Sequence, residues 1–185
     1  MTKIKQPADV YVYQMKITLE DISPPIWRRI QVTSDTTLSR LHRILQITMG
    51  WSDCHLHEFV IDGISYGKPD KEDMLKVKNV ILNRVVSGEH TRFSYIFDFG
   101  DFWCHKILIE KILPLEPDMR YPICIKGKRA CPPEDCGGPG GYFELLKVLQ
   151  DTTHPEHDET SEWIGGSFDP EAFDIDEINR ELEKI

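Results

Sequence analysis

The chain has 185 residues, enough for one sizeable core, and its 40% hydrophobic and 29% charged residues are typical of a soluble globular protein. Its net charge of −9 gives no general attraction to phosphates, which makes nucleic acid a poor partner. No run approaches the roughly 18 apolar residues of a membrane span, and the first residues lack a signal-peptide core. We therefore expect a cytoplasmic protein with no membrane partner.

Hydrophobic patterning in the first third of the chain predicts two strands and a packed helix. The strands, Val10–Leu19 and Ile26–Val32, flank the turn-forming sequence DISPP. The helix runs from Leu38 to Met49, with Thr37 as its N-cap and Gly50 at its end. Strand, strand, helix is the opening of a β-grasp-like α+β fold with a mixed sheet.

The rest of the chain predicts more strands, then a loop, then helices. A strand over 55–61 and an apolar hairpin over 92–110 complete the sheet. The predicted organisation is one domain over 1–185, with the sheet and helix in 10–113, an irregular Pro/Gly-rich loop in 114–141 and a helical C-terminal cover in 142–185. The cover contains predicted helices at 142–150 and 155–164, and a third that starts after Asp174 as its N-cap.

The hairpin RFSYIFDFGDFWCHKILIE carries the most chemical-looking pattern. Its central Gly-Asp predicts a two-residue type II′ turn, which places Asp98 opposite Trp103 and Ile96 opposite His105. Asp98 and His105 then share a mostly apolar face as diagonal neighbours. A carboxylate that orients an imidazole serves a general base or a metal ligand, whereas the alternative is a buried pair that fixes strand register.

Three further histidines are candidates for binding. His55 and His57 lie two apart in the predicted strand, so both side chains point the same way, a spacing that can hold a metal ion. Packing in the core or at its rim is the alternative. His42 lies between two leucines of the predicted helix, a position that favours packing over catalysis.

The sequence CIKGKRACPPEDCGGPGG combines thiols with acids. The five cysteines of the chain, without an export signal, are expected to be reduced. Cys124, Cys131 and Cys136 are candidate zinc ligands together with a distant histidine, or else small apolar fillers. Glu134 and Asp135 follow two stiff prolines and precede glycines, which suits presenting carboxylates to a metal, a cation or an amine, or simply capping a turn.

The ordered motifs PPIWRRIQV, TLSRLHRILQITMGW, HLHEF, YIFDFGDFWCHKI, ACPPEDCGG, HPEH and FDPEAFD resemble the plasmid pRiA4b ORF-3-like family over residues 10–179. The resemblance implies an α+β fold with a β-grasp-like portion. Some members are labelled transposon resolvases, but this chain shows neither a serine among clustered arginines nor a basic DNA-binding helical module. The positions that fall inside the family's motifs are His42, Trp51, His55, Asp98, Asp101, His105, Glu134 and Asp135.

The leading hypothesis is a binding domain for an unknown small molecule or protein, with a polar pocket between the DFGD hairpin, the HLH strand and the CPPED loop. The alternative is a metal-assisted or acid–base hydrolase, and a weaker one is a DNA-associated accessory protein of a mobile element. The candidate catalytic residues are His105, Asp98, Glu134 and Asp135. The candidate binding residues are His42, Trp51, His55, His57, Asp101 and Trp103. The candidate ligands for zinc or another divalent metal are His55, His57, His105, Cys124, Cys131 and Cys136.

Overall fold

The computed structural model describes residues 10–67, 75–76 and 79–185, and over these ranges the predicted α+β class is confirmed. The strands are β1 (Tyr11–Leu19), β2 (Trp27–Thr33), β3 (His57–Ile61), β4 (Ile64–Gly67), β5 (Leu75–Lys76), β6 (Arg92–Phe97), β7 (Trp103–Pro114) and β8 (Ile123–Lys128). The helices are α1 (Leu38–Met49), α2 (Leu82–Val85), α3 (Gly138–Gln150), α4 (His157–Trp163) and α5 (Ile175–Leu182). Within the described ranges, no helix has the length and apolarity needed to cross a membrane.

The strands form one open sheet in the order β5-β4-β3-β6-β7-β1-β2-β8. Seven of them pair antiparallel, and the short β5 forms one edge of the sheet by pairing with β4 in parallel. The β6–β7 hairpin lies in the middle of the sheet, between β3 and β1. The sheet thus brings the start of β3, which begins at the last residue of the HLH motif, beside the turn of the hairpin. The β-grasp-like label stays a prediction.

The predicted opening of strand, strand and helix is confirmed. Alternate residues of β1, such as Met15 and Ile17, are completely buried, as period-two patterning requires. Thr37 caps α1, because its hydroxyl oxygen accepts a hydrogen bond from the amide of Arg40 at 3.2 Å. Gly50 ends α1 with a φ of 81°, a left-handed conformation that favours glycine.

The segment 114–141, predicted to be irregular throughout, contains β8 and the first turn of α3. β8 was missed because its sequence, ICIKGK, is short and polar, and it forms by pairing with β2 at the edge of the sheet. α3 begins at Gly138, four residues before the predicted start, with Pro139 in its first turn, where the missing amide hydrogen costs nothing. The other two helices of the C-terminal part agree with prediction, and Asp174 caps α5 by accepting a bond from the amide of Glu177 at 2.9 Å.

The outer edge of β8 is covered by a side chain of α5. The amide oxygen of Asn179 accepts a hydrogen bond from the backbone N–H of Cys124 at 2.8 Å. Its amide nitrogen donates to the carbonyl of the same residue at 2.9 Å. One asparagine therefore satisfies both backbone groups that a further strand would have used.

Candidate functional site

The turn of the β6–β7 hairpin differs from prediction. Phe97 pairs with Trp103 and Tyr95 with His105, so the predicted partners of Trp103 and His105 were wrong by one residue. The connection is a five-residue loop rather than a two-residue turn. Its first residue, Asp98, has a φ of 57°, and its side chain accepts a hydrogen bond from the amide of Gly100 at 2.8 Å. The carboxylate thus builds the turn and leaves the face of the strand.

His105 lies in the core and does not contact Asp98 as predicted. Its Nδ1 donates to the backbone carbonyls of Tyr95 at 3.2 Å and Trp103 at 3.1 Å. Burial lowers the pKa of His105 to about 4, because the charged imidazolium loses its hydration. His105 is therefore a neutral, inward-facing side chain, and the structure separates it from the acid that was predicted to orient it.

His55 occupies the place that prediction gave to His105. It precedes β3, and its ring lies between the carboxylates of the DFGD turn and of the CPPED loop. Nδ1 is 3.8 Å from Oδ1 of Asp98, and Nε2 is 3.2 Å from Oδ1 of Asp135, a contact too bent to be a hydrogen bond. Ligand atoms of the three residues lie within 4.8 Å of one another. We call this group the His55 cluster.

The CPPED loop is fixed against the hairpin by its backbone. The amide of Gly137 donates to Oδ2 of Asp101 at 3.0 Å. The next residue, Gly138, has a φ of 67° and approaches so closely that a Cβ there would overlap the carbonyl oxygen of Asp101. Asp101, a candidate binding residue, therefore holds the loop in position, and the two glycines permit the approach.

The end of α1 holds the same loop from the other side. The indole N–H of Trp51 donates to the carbonyl of Pro132 at 3.0 Å. The carboxylate of Glu134 accepts bonds from the amide and, at 2.5 Å, the hydroxyl of Ser52. Glu134 is thus engaged in positioning the loop, whereas its neighbour Asp135 is 71% exposed at the side chain and faces His55.

The two candidate tryptophans pack inside the protein rather than lining an open pocket. Trp51 and Trp103 are 7% and 1% exposed, and their rings lie 5.9 Å apart. Trp51 also packs against Phe97 at 5.1 Å and meets the ring of His105 edge-on at 5.3 Å. Phe97 in turn meets the ring of His55 edge-on at 5.7 Å, so these packed aromatic rings support the His55 cluster.

A second polar group lies between α1 and β3. His42 Nε2 is 2.6 Å from Oδ1 of Asp53, and its Nδ1 is 2.8 Å from the hydroxyl of Tyr95. His57 stacks on His42, with ring centroids 3.5 Å apart and an angle of 9° between planes. His42, Asp53 and His57 offer ligand atoms within 4.8 Å, but an ion about 2.1 Å from both imidazoles would lie far outside both ring planes. This arrangement suits packing and hydrogen bonding rather than a shared metal ion.

His55 and His57 therefore do not hold one ion between them, contrary to the prediction from their spacing. His57 belongs to β3 and faces the helix, while His55 lies before the strand and outside its alternation. Asp53 and Tyr95 were not among the predicted site residues. Asp53 lies in the loop after α1, and no local pattern shows that it folds back onto His42.

The predicted three-thiolate zinc site is not formed among the described residues. Cys124 is buried in the core, and Cys131 accepts a hydrogen bond from Arg28 at 3.1 Å. Burial raises the pKa of Cys131 to about 11. Burial, together with the charge of Asp101, raises the pKa of Cys136 to about 12. In the described part of the chain, the groups of three or more metal-ligating side chains within 4.8 Å contain no cysteine.

The fold is an α+β domain with an open sheet, and the site that its motifs build is a small polar cluster on an aromatic base. The chain belongs to the plasmid pRiA4b ORF-3-like protein family, whose model matches residues 11–177. It is 37% identical to the uncharacterized protein y4hQ of Sinorhizobium fredii (strain NBRC 101917 / NGR234) over 181 residues, 94% of this chain and 92% of that protein. It is also similar to the crystal structure of MM3350 from Methanosarcina mazei Go1, described as a protein of unknown function. That match has a TM-score of 0.84 and 40% identity, and it covers 91% of this chain and 98% of the other.

Proposed function

We propose that this chain is a binding domain that holds a divalent metal ion at the His55 cluster. The observation that carries the proposal is the meeting of one imidazole and two carboxylates from distant segments, those of His55, Asp98 and Asp135, within 4.8 Å. The imidazole of His55 and the carboxylate of Asp135 supply nitrogen and oxygen ligands, which suit ions such as Zn²⁺ and Mn²⁺.

The arrangement assigns a different role to each carboxylate. Nε2 of His55, a buried atom that makes no hydrogen bond within the described residues, and the exposed carboxylate of Asp135 form the pair that contacts the ion. Asp98, 8% exposed, lies on the other side of the ring near Nδ1, where it orients the imidazole. The ion would lie beside the exposed side chain of Asp135, where few ligands of the described chain reach it. Coordination positions therefore remain for water or a further ligand.

A second candidate function, acid–base or metal-assisted hydrolysis, is favoured by the same contact between Asp98 and His55. The imidazole that has a carboxylate near Nδ1 is that of the partly exposed His55, not that of the buried His105. In this hypothesis His55 is therefore the general base. Asp135 remains the acid or ligand of this hypothesis. The DNA-associated hypothesis has no comparable contact in its favour.

We also propose that the chain forms a single domain and resides in the reducing environment of the cytoplasm. All five cysteines are free thiols, which fits such a compartment. The C-terminal helix α5 packs on both β8 and α1, which supports a single folded unit that includes the C-terminal part.

Calorimetric titration of Zn²⁺ and Mn²⁺ into untagged, chelator-treated protein tests the metal site. We expect one ion per chain, with affinity lost in His55→Ala and Asp135→Asn. We expect a roughly tenfold loss in Asp98→Asn, which keeps the oxygen that caps the hairpin turn while removing the charge behind the ring.

His157→Gln is the matched control, since His157 also lies 3.2 Å from a carboxylate, that of Asp158, but belongs to neither three-residue group of the described chain. Its affinity should equal that of the unmodified protein. Absence of binding by the unmodified protein, or equal affinities in His55→Ala and His157→Gln, would overturn the proposal.

A further inference from the structure

A cleft of about 470 Å³ lies between α3 and α4. This volume is that of a small-molecule site. Its floor is apolar, since Leu145 and Val148 are 7% and 3% exposed. One wall is the indole of Trp163, which is 52% exposed although tryptophan is usually well buried.

The rim of this cleft is acidic. Asp135, Glu144, Glu156 and Glu159 all line it. Lys147 pairs with Glu144 at 2.7 Å and offsets that charge. In the described part of the chain, no lysine or arginine lies within 4.0 Å of the carboxylates of Glu156 or Glu159. The cleft therefore presents net negative charge around an apolar floor.

We propose that this cleft binds the cationic end of an organic amine or guanidinium group together with its aliphatic stem. An exposed indole face attracts a cation through its ring quadrupole, and nearby carboxylates add to that attraction. The apolar floor suits methylene groups, as in the stems of lysine and arginine. Carboxylates alone would be ordinary solvated surface, whereas this cleft also has an indole wall and an apolar floor.

A cationic group on an aliphatic stem occurs both in a free diamine and in a basic side chain of a peptide. Two probes distinguish these two ligands. Cadaverine represents the free diamine, and an acetylated, amidated trilysine peptide represents the side chain. 1-Pentanol, which keeps the aliphatic stem without charge, is the neutral comparison. All titrations are made in EDTA, so the result does not depend on a metal at the His55 cluster, with which the cleft shares only Asp135.

Three variants define the cleft. Glu159→Gln removes a rim charge, and Trp163→Ala removes the wall. Glu162→Gln removes the same charge from an exposed position of the same helix that does not line the cleft. Thermal melting of each variant establishes that it is folded, and Trp163→Phe keeps an aromatic face if the alanine variant does not fold.

We expect calorimetry to detect at least one cationic probe and not 1-pentanol. Affinity should fall about tenfold in Glu159→Gln and in Trp163→Ala, stay partly retained in Trp163→Phe, and be unchanged in Glu162→Gln. Binding of cadaverine identifies a free organic cation, and binding of trilysine alone identifies a peptide. Failure of both probes, or an equal loss in Glu159→Gln and Glu162→Gln, would overturn the proposal.

Discussion

The imidazole rings of His42 and His57 stack face to face, 3.5 Å apart at their centroids. One ring comes from α1 and the other from β3, so the contact joins the helix to the sheet. Tyr95, on the neighbouring strand β6, supplies the hydroxyl that bonds to His42. The helix therefore docks on the sheet through a polar, directional contact as well as through aliphatic packing.

Tyr95→Phe should destabilise the protein by about 1–3 kcal/mol, because the buried hydroxyl serves both His42 and, at 2.9 Å, the amide of Gln46. Urea unfolding at neutral pH measures the free energy of unfolding of each variant. Tyr11→Phe is the control, since within the described residues the partly exposed Tyr11 hydroxyl bonds only to that of Tyr13. A cost for Tyr95→Phe no larger than that of the control would contradict a role for this network.

Gly138→Ala should cost about 3 kcal/mol, since alanine at a φ of 67° is strained and its Cβ would overlap the carbonyl of Asp101. The neighbouring Gly140 has open space around its Cβ position and lies inside α3. Gly140→Ala should change stability by less than about 1 kcal/mol, in the favourable direction, because alanine is the better helix former. Thermal melts of the two variants give the comparison, and similar values would argue against a close approach between loop and hairpin.

Stability should fall as the pH drops from 6.5 toward 4, partly because of His105. Its pKa is lowered by burial from 6.5 to about 4, so in this window the unfolded chain binds a proton that the folded chain excludes. Linkage gives a loss of about 2 kcal/mol at pH 5 relative to pH 7. His105→Gln should show a shallower decline over the same range, measured by urea unfolding at each pH. Parallel stability curves for the two proteins would show that His105 does not contribute.

Ellman's reagent at pH 7.5 should modify one thiol quickly, that of the exposed Cys54. Burial raises the pKa of Cys131 and Cys136 to about 11 and 12, which leaves little thiolate to react. Cys54→Ser should abolish the fast phase, whereas Cys136→Ser should leave it intact. Since no three-thiolate site forms among the described residues, a chelator should not change the rates, and faster labelling after chelation would point to bound metal.

Local patterns account for what the sequence predicted well. The alternation in β1 and the caps Thr37, Gly50 and Asp174 act within a few residues, so their outcomes are visible without the fold. The turn of the hairpin was harder to predict, because Gly-Asp is a standard signal for a two-residue turn and the loop has five residues. The observed loop instead depends on two residues with positive φ, Asp98 and Phe102. A shift of one residue moved Asp98 away from His105.

The contacts that the sequence did not predict join residues that lie far apart in the chain. No spacing rule relates His55 to Asp135, which is 80 positions further along the chain. Their contact depends on the CPPED loop, which is positioned by Trp51 and Asp101. The predicted meeting of these motifs involves His55 instead of His105, because a strand that starts at His57 leaves His55 outside its alternation.

The paired bonds from Asn179 to Cys124 have a consequence for behaviour in concentrated solution. An edge strand with free N–H and C=O groups invites a strand from another molecule to add to the sheet and seed aggregates. Here the side-chain amide of Asn179 makes the hydrogen bonds that an added strand would make with β8, at one end of the sheet. The last helix of the chain thus serves as a barrier against edge-to-edge polymerisation as well as a packing element.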